Sequence, residues 1–255
     1  MPPGGLVGAI PARYASSRLP GKPLIPIAGR PMIEHVYRRV QAVRELDRVV
    51  VLTDDERILD AVEGFGGDAM MTPVDCPSGT DRIAYAARTW DCHGVINVQG
   101  DEPLIDPAAV ARLARLMKDD PGVEMATLAA PLDPERFDDP NAVKVVTALD
   151  GTALYFSRAP IPHDRDGDPS RAVAPRLHLG LYGYRRDVLL RLAELEPTPL
   201  ERSESLEQLR ALEHGIRLRV LTLESAAEPG VDTRGDLERT EARLLAERAA
   251  ASGGP

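Results

Sequence analysis

Residues 48–65 read RVVVLTDDERILDAVEGF, a run of β-branched and apolar residues followed by a segment of helical period. The first six residues predict a buried strand. Asp54 or Asp55 is a suitable N-terminal cap for a helix that continues through Phe65. A buried strand that leads directly into a helix is the repeating unit of a parallel α/β sheet.

The same alternation continues on either side of this unit. Leu6–Ile10 and Gly94–Val98 predict two further short buried strands, and Met125–Ala130 predicts another. Pro107 stands where the first position of a helix is expected. This order favours the α/β fold class, with a mostly parallel central sheet that carries helices on both faces.

The pattern changes in the second half of the chain. Val143–Thr147 and Ala153–Phe156 flank Asp150-Gly151, a dipeptide typical of a hairpin turn. We therefore predict a single α/β domain over residues 1–255, with a small inserted antiparallel lobe at about residues 142–185.

Helical periods return after this lobe. They predict helices near residues 186–195 and 203–214 and a last helix that starts at Thr233. Acidic residues follow Thr233, as the dipole at a helix N-terminus favours.

The composition excludes several classes of protein. With 31 basic and 40 acidic residues the net charge is −9, which does not suit a nucleic-acid surface. One Trp, six Tyr and three Phe are too few for a base-stacking module. No apolar run approaches the roughly 20 residues of a membrane helix, and the first strand begins too early to leave room for a signal peptide. The two cysteines form no CxxC, so we expect a cytoplasmic protein without nucleic-acid or membrane partners.

The loop after the first strand carries the strongest functional signal. The first 33 residues contain four basic residues and no acidic one, and Arg13, Arg18 and Lys22 lie in PARYASSRLPGK (11–22). Ligands of open α/β sheets bind beyond the carboxyl ends of the strands, where glycine-containing loops, guanidinium groups and lysine suit phosphates. We predict a polyphosphate site here. The alternative is a solvated loop whose basic residues pair with acids elsewhere.

Two acidic segments far apart in the chain predict a magnesium site. QGDEP (99–103) directly follows a buried strand, and Asp232 lies on a short loop before the last helix. Magnesium is bound through one or two carboxylates together with phosphate oxygens, so Asp101 and Asp232 could hold one ion over a triphosphate. The alternatives are that Asp101 caps a turn while Glu102 faces water, and that Asp232 caps the last helix.

The segment PSGTDR (77–82) leads into a helix and allows two roles. Its hydroxyls and Arg82 could bind a base edge or a phosphate. Ser78 or Thr80 could equally cap the helix.

Histidine and D-x-D patterns give weaker signals. The five histidines show no HxxxH spacing, which argues against a zinc hydrolase. His178 alternates into a strand and is either a substrate contact or a half-buried residue. Asp164-Arg-Asp166 matches the D-x-D of metal-dependent glycosyltransferases, but it lies in an irregular polar stretch that favours a chance match.

Nine segments, taken in order, carry a resemblance to a known family. They are IPARYASSRLPGKPL (10–24), GRPMIEHV (29–36), CPSGTDRIA (76–84), NVQGDEP (97–103), NAVKVV (141–146), ALYFSRAPIP (153–162), HLGLYGYR (178–185), LEQLRALEHG (206–215) and GVDTRGDLE (230–238). Over roughly residues 6–245 the chain resembles the 3-deoxy-manno-octulosonate cytidylyltransferase family. Related cytidylyltransferases for sialic acids share the phosphate loop more than the later segments, so the later segments favour this branch.

The resemblance implies transfer of CMP from CTP to the anomeric hydroxyl of 3-deoxy-D-manno-octulosonate, an acidic eight-carbon sugar, with release of pyrophosphate for lipopolysaccharide precursor synthesis. It implies Mg²⁺ as the cofactor, bound by Asp101 and Asp232. It also implies a homodimer in which the inserted antiparallel lobe is the dimerisation lobe. The implied catalytic residues are Arg13, Lys22 and Asp101. The implied nucleotide contacts are Ala12, Arg13, Arg18, Lys22, Ser78, Gly79, Arg82 and Gln99. The implied sugar contacts are Gln99, His178, Tyr182, Glu207 and Gln208.

Three other functions stay open from the sequence. One is a cytidylyltransferase for another acidic sugar, either an amino derivative of the same octulosonate or a sialic-type acid. The second is a metal-dependent glycosyltransferase that uses Asp164 and Asp166. The third is a nucleotide-binding protein without catalysis.

Overall fold

The computed structural model describes residues 4–15, 19–166, 173–226, 228 and 230–252. In chain order its strands and α-helices are β1 (Gly5–Ala12), β2 (Pro26–Ile27), β3 (Arg30–Pro31), α1 (Met32–Gln41), β4 (Arg48–Thr53), α2 (Glu56–Gly64), β5 (Ala69–Met71), α3 (Gly79–Ala87), β6 (Cys92–Asn97), α4 (Pro107–Asp119), β7 (Met125–Pro131), β8 (Lys144–Thr147), β9 (Ala153–Ser157), β10 (Arg176–Arg185), α5 (Arg186–Ala193), α6 (Pro199–Glu204), α7 (Gln208–Glu213), β11 (Leu218–Thr222) and α8 (Arg234–Ser252).

The described residues divide into two compact units. The first unit is formed by residues up to 111 and from 228 onward, and the second by residues 112–227. The sequence-based assignment of one domain with a lobe at about 142–185 stays a prediction.

The first unit contains four parallel strands in the order β6-β1-β4-β5. Ala9 of β1 lies opposite Val50 of β4 on one side and Asn97 of β6 on the other. Helices α1 and α3 pack against β1 and β4, and every residue of β4 after Arg48 is buried. The predicted α/β class with mostly parallel strands is therefore confirmed. Because the strands are parallel, the loops that follow β1, β4 and β6 leave from the same edge of the sheet.

In the second unit, β7 lies between β10 and β11. β7 pairs in parallel with β11 and antiparallel with β10, and β10 also pairs antiparallel with β8. The predicted hairpin is present: β8 and β9 pair antiparallel, and Gly151 between them has φ +82°, a left-handed conformation that favours glycine. Within the predicted lobe, the described strands are thus antiparallel. A second small antiparallel pair, β2 and β3, lies in the first unit.

The predicted helix near 203–214 is wrong as a continuous element. Two short helices, α6 and α7, occupy this region, and Ser205 between them has φ +52°. The Arg158 guanidinium donates hydrogen bonds to the carbonyl oxygens of Glu204 (2.7 Å) and Ser205 (3.3 Å). Arg158 is more than 40 positions away in sequence and bonds the chain where α6 ends. The hydrophobic period of the segment itself cannot reveal such a distant contact.

Candidate active site

A cavity of about 440 Å³ opens at the edge of the first unit where β1 and β6 end. Most of the residues predicted to bind nucleotide or metal line it. They are Ala12, Arg13, Lys22, Ser78, Gly79, Arg82, Gln99, Asp101 and Asp232. The predicted contact Arg18 lies outside the described residues.

Lys22 joins the two predicted metal-binding aspartates. Its Nζ donates to Asp101 Oδ2 at 2.6 Å and to Asp232 Oδ1 at 3.1 Å. The Lys22 side chain is 11% exposed, whereas those of Asp101 and Asp232 are 39% and 50% exposed. We call these three residues the Lys22 centre. It combines a nearly buried cation with two carboxylates that solvent, or a ligand in the cavity, can still reach.

Backbone contacts explain how residues so distant in sequence meet. The Val231 N–H donates to the Asp101 carbonyl oxygen at 2.9 Å, which brings Asp232 beside Asp101. Val231 is itself fully buried in an apolar cluster with Ile27 and Met32. At Gly100 a Cβ atom would lie 2.9 Å from the Pro11 carbonyl oxygen, so only glycine allows this loop to approach the end of β1 so closely.

Asp232 does not cap the last helix, so that alternative is wrong. Thr233 and Asp236 form the reciprocal contacts at the start of α8: the Asp236 N–H donates to Thr233 Oγ1 (3.2 Å), and the Thr233 N–H donates to Asp236 Oδ2 (2.7 Å). The Asp232 N–H also donates to Asp236, at 3.1 Å. The cap is thus provided one residue later, and the Asp232 carboxylate points to Lys22 instead.

The alternative that Asp101 caps a turn is wrong for the described residues. The Asp101 carboxylate bonds to Lys22 and caps no backbone amide among the described residues. Glu102 is only partly exposed rather than solvent-facing. Burial, reinforced by the charge of Asp101, raises the pKa of Glu102 to about 8.

A contact that the sequence did not indicate holds the loop carrying Arg13 and Lys22. The Arg57 guanidinium lies over the Tyr14 ring, 3.4 Å from its centroid, and also bonds to Asp55 at 2.7 and 2.9 Å. On the loop itself, the Gly21 N–H donates to the Tyr14 carbonyl oxygen at 3.0 Å. Gly21 has φ +69°, and a Cβ there would lie 3.0 Å from the Tyr14 ring. We call Tyr14, Gly21 and Arg57 the loop clasp.

The segment at 77–82 takes the structural role and also lines the cavity. Ser78 caps α3 in a capping box with Asp81, and Gly79 starts the helix. The Arg82 side chain is 4% exposed and donates to Asp54 Oδ2 at 2.7 Å and to Thr72 Oγ1. Asp54 was predicted only as a helix cap. The cap of α2 is Asp55, and Asp54 instead fixes the guanidinium at the cavity wall.

Apart from Gln99, which lines the cavity of the first unit, the predicted sugar contacts lie in the second unit. His178 and Tyr182 are residues of β10 and form a group of aromatic and imidazole rings with Phe156. The His178 ring is 4.9 Å from Phe156 and 5.4 Å from Tyr182, measured between ring centroids. Its Nε2 lies 3.2 Å from Thr127 Oγ1. We call His178, Tyr182, Phe156 and Thr127 the His178 cluster. Burial lowers the pKa of His178 to about 3 and raises that of Tyr182 well above its usual value, so both are neutral at pH 7.

Glu207 and Gln208 stand at the start of α7. The charge of Glu207 contributes to the raised pKa of Tyr182. Gln208 is 5% exposed, and its Nε2 has no hydrogen-bond partner in the described part of the chain. A buried amide donor without a partner is costly, and a polar ligand can satisfy it.

The D-x-D segment lies at the surface of the described part of the chain. Asp164 and Asp166 are both exposed, and the Asp166 N–H donates to Asp164 Oδ1 at 3.1 Å in a local turn. This arrangement does not favour the glycosyltransferase alternative.

The side chains of the described residues limit the kind of metal site that this part of the chain offers. No group of three or more His, Cys, Asp or Glu side chains is placed there to bind a metal ion. The two carboxylates of the Lys22 centre are oxygen donors that suit Mg²⁺, provided that phosphate oxygens or water complete the coordination. In the same residues no helix has both the length and the apolar character needed to span a bilayer.

Comparison with known proteins agrees with the geometry. Residues 7–219 match the family model described as cytidylyltransferase. A 3-deoxy-manno-octulosonate cytidylyltransferase of Myxococcus xanthus is 55% identical over 94% of this chain and 96% of its own length. The protein of the same name from Syntrophotalea carbinolica is 51% identical over 94% of this chain and 98% of its own.

Solved structures give the same result. A CMP:2-keto-3-deoxy-manno-octonic acid synthetase complexed with CTP superposes with a TM-score of 0.92 at 45% identity, covering 96% of this chain and all of that one. A cytidylyltransferase of Leptospira borgpetersenii, at 18% identity and a TM-score of 0.66, shares the fold. The chain therefore belongs to the cytidylyltransferase family, and within it to the 3-deoxy-manno-octulosonate cytidylyltransferases.

Proposed function

We propose that this chain transfers CMP from CTP to the anomeric hydroxyl of 3-deoxy-D-manno-octulosonate and releases pyrophosphate, as a step of lipopolysaccharide precursor synthesis. The observation that carries the proposal is the Lys22 centre, in which one nearly buried ammonium group contacts two partly exposed carboxylates inside a 440 Å³ cavity. The high identity to relatives of that name supports the choice of sugar.

The reaction needs positioning and charge stabilisation rather than a covalent intermediate. The sugar hydroxyl oxygen forms a bond to the α-phosphorus and loses its proton, while the bond from the α-phosphorus to the bridging oxygen of pyrophosphate breaks. Negative charge accumulates on the leaving pyrophosphate. We assign Lys22 and Arg13 to binding this charge, since an ammonium that is 11% exposed is weakly screened by water.

We assign Asp101 and Asp232 to holding Mg²⁺, whose chemistry when bound is to neutralise phosphate charge and to polarise the α-phosphate. In the absence of substrate, the two carboxylates orient the Lys22 ammonium. Ala12, Ser78, Gly79 and Gln99 line the cavity and are assigned to the nucleotide. Arg82, whose position at the cavity wall is fixed by Asp54, is also assigned to the nucleotide.

For the sugar we assign Gln99, His178, Tyr182, Glu207 and Gln208. The partnerless Gln208 amide supports this assignment, because a sugar hydroxyl or carboxylate would accept its hydrogen bond. We also propose that the chain acts in the cytoplasm as a homodimer. Leu154 on β9 is 62% exposed, and Leu149 next to the hairpin is fully exposed, which supports an interface on this hairpin.

The proposal is tested by a pyrophosphate-release assay with CTP, Mg²⁺ and a panel of acidic sugars. We expect the highest kcat/KM with 3-deoxy-D-manno-octulosonate and pyrophosphate release that stops when Mg²⁺ is chelated. A higher kcat/KM with its amino derivative or with a sialic acid would reassign the substrate. Tight CTP binding with no product from any sugar would instead support a nucleotide-binding protein.

A further inference from the structure

Thr127 of β7 lies beneath the predicted sugar contact His178. Its side chain is fully buried, and it faces an irregularity in β10 where the register with β7 shifts between Leu179 and Tyr182. Thr127 Oγ1 lies 3.0 Å from the Leu179 carbonyl oxygen and 2.9 Å from the Leu181 carbonyl oxygen. The third neighbour of this oxygen is His178 Nε2, at 3.2 Å.

The threonine hydroxyl has a single proton, and this limits which of these contacts it can donate to. A hydroxyl has one proton to donate and two lone pairs that accept. The two carbonyl oxygens can only accept, so the Thr127 proton belongs to one of them or is shared between them. If it went to His178 Nε2 instead, two carbonyl oxygens would face the lone pairs of Oγ1 at 2.9–3.0 Å without a proton between them. The favourable arrangement is that His178 Nε2 carries a proton and donates it to Thr127 Oγ1.

The other ring nitrogen follows from this assignment. Burial keeps His178 neutral at pH 7, so a proton on Nε2 leaves Nδ1 without one. No hydrogen bond to Nδ1 is present among the described residues around it. The Phe156 and Tyr182 rings, whose centroids lie 4.9 and 5.4 Å away, flank the imidazole and restrict its rotation.

We propose that Thr127 is a positioning residue that fixes His178 as the Nε2–H tautomer, so that Nδ1 accepts a hydrogen bond from a hydroxyl group of the sugar. The proposal rests on the proposed function for the identity of the ligand. An unprotonated nitrogen accepts from a hydroxyl but repels a carboxylate. His178 therefore recognises the polyol part of the substrate, and the carboxylate of the acidic sugar is bound by other donors.

The first test reads the tautomer directly and needs no substrate. Protein labelled with ¹⁵N-histidine is examined by NMR at pH 7, and the His178 ring signals are assigned by their loss in His178→Gln. We expect the proton on Nε2 in the wild-type protein, and a measurable Nδ1–H population in Thr127→Val, which keeps the shape but removes the hydroxyl. A wild-type proton on Nδ1, or an identical tautomer in Thr127→Val, would overturn the proposal.

The second test separates the two substrates. In Thr127→Val we expect the KM for the sugar to rise on the order of tenfold, as for the loss of one hydrogen bond, while the KM for CTP stays within about twofold. Thr127→Ser keeps the hydroxyl and should restore the sugar KM to within about twofold of the wild type. Thr240→Val, at a 4%-exposed threonine of α8, is the matched control for the loss of a buried hydroxyl.

The outcomes also separate this proposal from the proposed function. If the sugar KM of Thr127→Ser is as high as that of Thr127→Val, Thr127 acts through packing and the inference is wrong. If the wild-type protein turns over no acidic sugar but shows the predicted tautomers, the proposed function fails while the assignment of His178 and Thr127 holds.

Discussion

The Lys22 centre and the His178 cluster are two polar sites built on opposite principles. The Lys22 centre uses full charges on loops at strand ends, with Lys22 Nζ 2.6 and 3.1 Å from two carboxylates. The His178 cluster uses neutral groups on paired strands, held by a buried hydroxyl and ring packing. Charges suit the stabilisation of a leaving pyrophosphate, whereas fixed neutral donors and acceptors suit the distinction of one sugar from another. We therefore expect variants of the Lys22 centre to lose pyrophosphate release and variants of the His178 cluster to bind the sugar more weakly.

The largest effect is expected from Asp101→Asn and Asp232→Asn. Each removes one carboxylate charge with little change in shape, and we expect pyrophosphate release to fall about a thousandfold or more. The measurement is steady-state pyrophosphate release with CTP, sugar and Mg²⁺, together with circular dichroism to establish that the fold is kept.

The matched control for this pair is Asp68→Asn. Asp68 forms an ion pair with Arg48 at 2.6 Å, the same distance as between Asp101 and Lys22. The two aspartate side chains are also similarly exposed, Asp68 at 42% and Asp101 at 39%. We expect near-normal turnover in this control. Near-normal turnover in both site variants would refute the assignment of the two aspartates.

Lys22→Ala should be the next most severe variant. Loss of the ammonium group removes about 3 kcal/mol of transition-state stabilisation, which is on the order of a hundredfold in kcat/KM for CTP. Lys118→Ala, at an exposed position near the end of α4, serves as the control. If Lys22→Ala changes only the KM for the sugar, its role at the triphosphate is wrong.

The neutral state of His178 predicts a pH dependence of stability. Its pKa is about 3 in the folded chain and about 6.5 when exposed, so between these values the unfolded chain binds the extra proton. The free energy of unfolding therefore falls as the pH drops below 6.5. From pH 7 to pH 5 we expect the wild type to lose about 1–2 kcal/mol more than His178→Gln.

Urea unfolding of both proteins at pH 7 and pH 5 measures this difference. The pKa of His35 is also lowered by burial, and this residue contributes equally to both proteins. Equal losses in the two proteins would show that His178 is not held neutral by the fold.

The smallest effect is expected at the loop clasp. Gly21→Ala places a methyl group 3.0 Å from the Tyr14 ring at φ +69°, which should displace the loop that carries Arg13 and Lys22. We expect the KM for CTP to rise about fivefold. Gly29→Ala has the same backbone strain at φ +80° but open space around the added methyl group. A KM increase in both variants would attribute the effect to backbone strain rather than to the clasp.

All three residues of the Lys22 centre were candidates in the sequence. In the His178 cluster only His178 and Tyr182 were, and Thr127 and Phe156 were not. Lys22 follows β1 and Asp101 follows β6, and the hydrophobic pattern predicts both strands. Because parallel strands end at the same edge of a sheet, the two residues are expected to lie close together. Asp232 was linked to them as a second acidic residue on a short loop, and it also admitted a capping role. The backbone bond from Val231 to Asp101 that decides between the two roles is a tertiary contact.

Thr127, Asp54 and Arg57 carry no motif. Thr127 meets His178 across the pairing of β7 and β10, beside the position where their register shifts. Asp54 meets Arg82, and Arg57 meets Tyr14, across loops separated by tens of residues. The hydrophobic period and the composition of the sequence predict helices, strands and the charged residues at strand ends. They do not predict which side chains the loops bring into contact.

The most direct test of the account is the fate of the attacking oxygen. 3-Deoxy-D-manno-octulosonate labelled with ¹⁸O at the anomeric position is reacted with CTP and Mg²⁺, and the products are analysed by ³¹P NMR. The account predicts one equivalent of unlabelled pyrophosphate and a CMP-sugar whose phosphorus shows the isotope shift of a bridging ¹⁸O. Label in pyrophosphate, or a CMP product without label, would contradict attack of the sugar on the α-phosphorus.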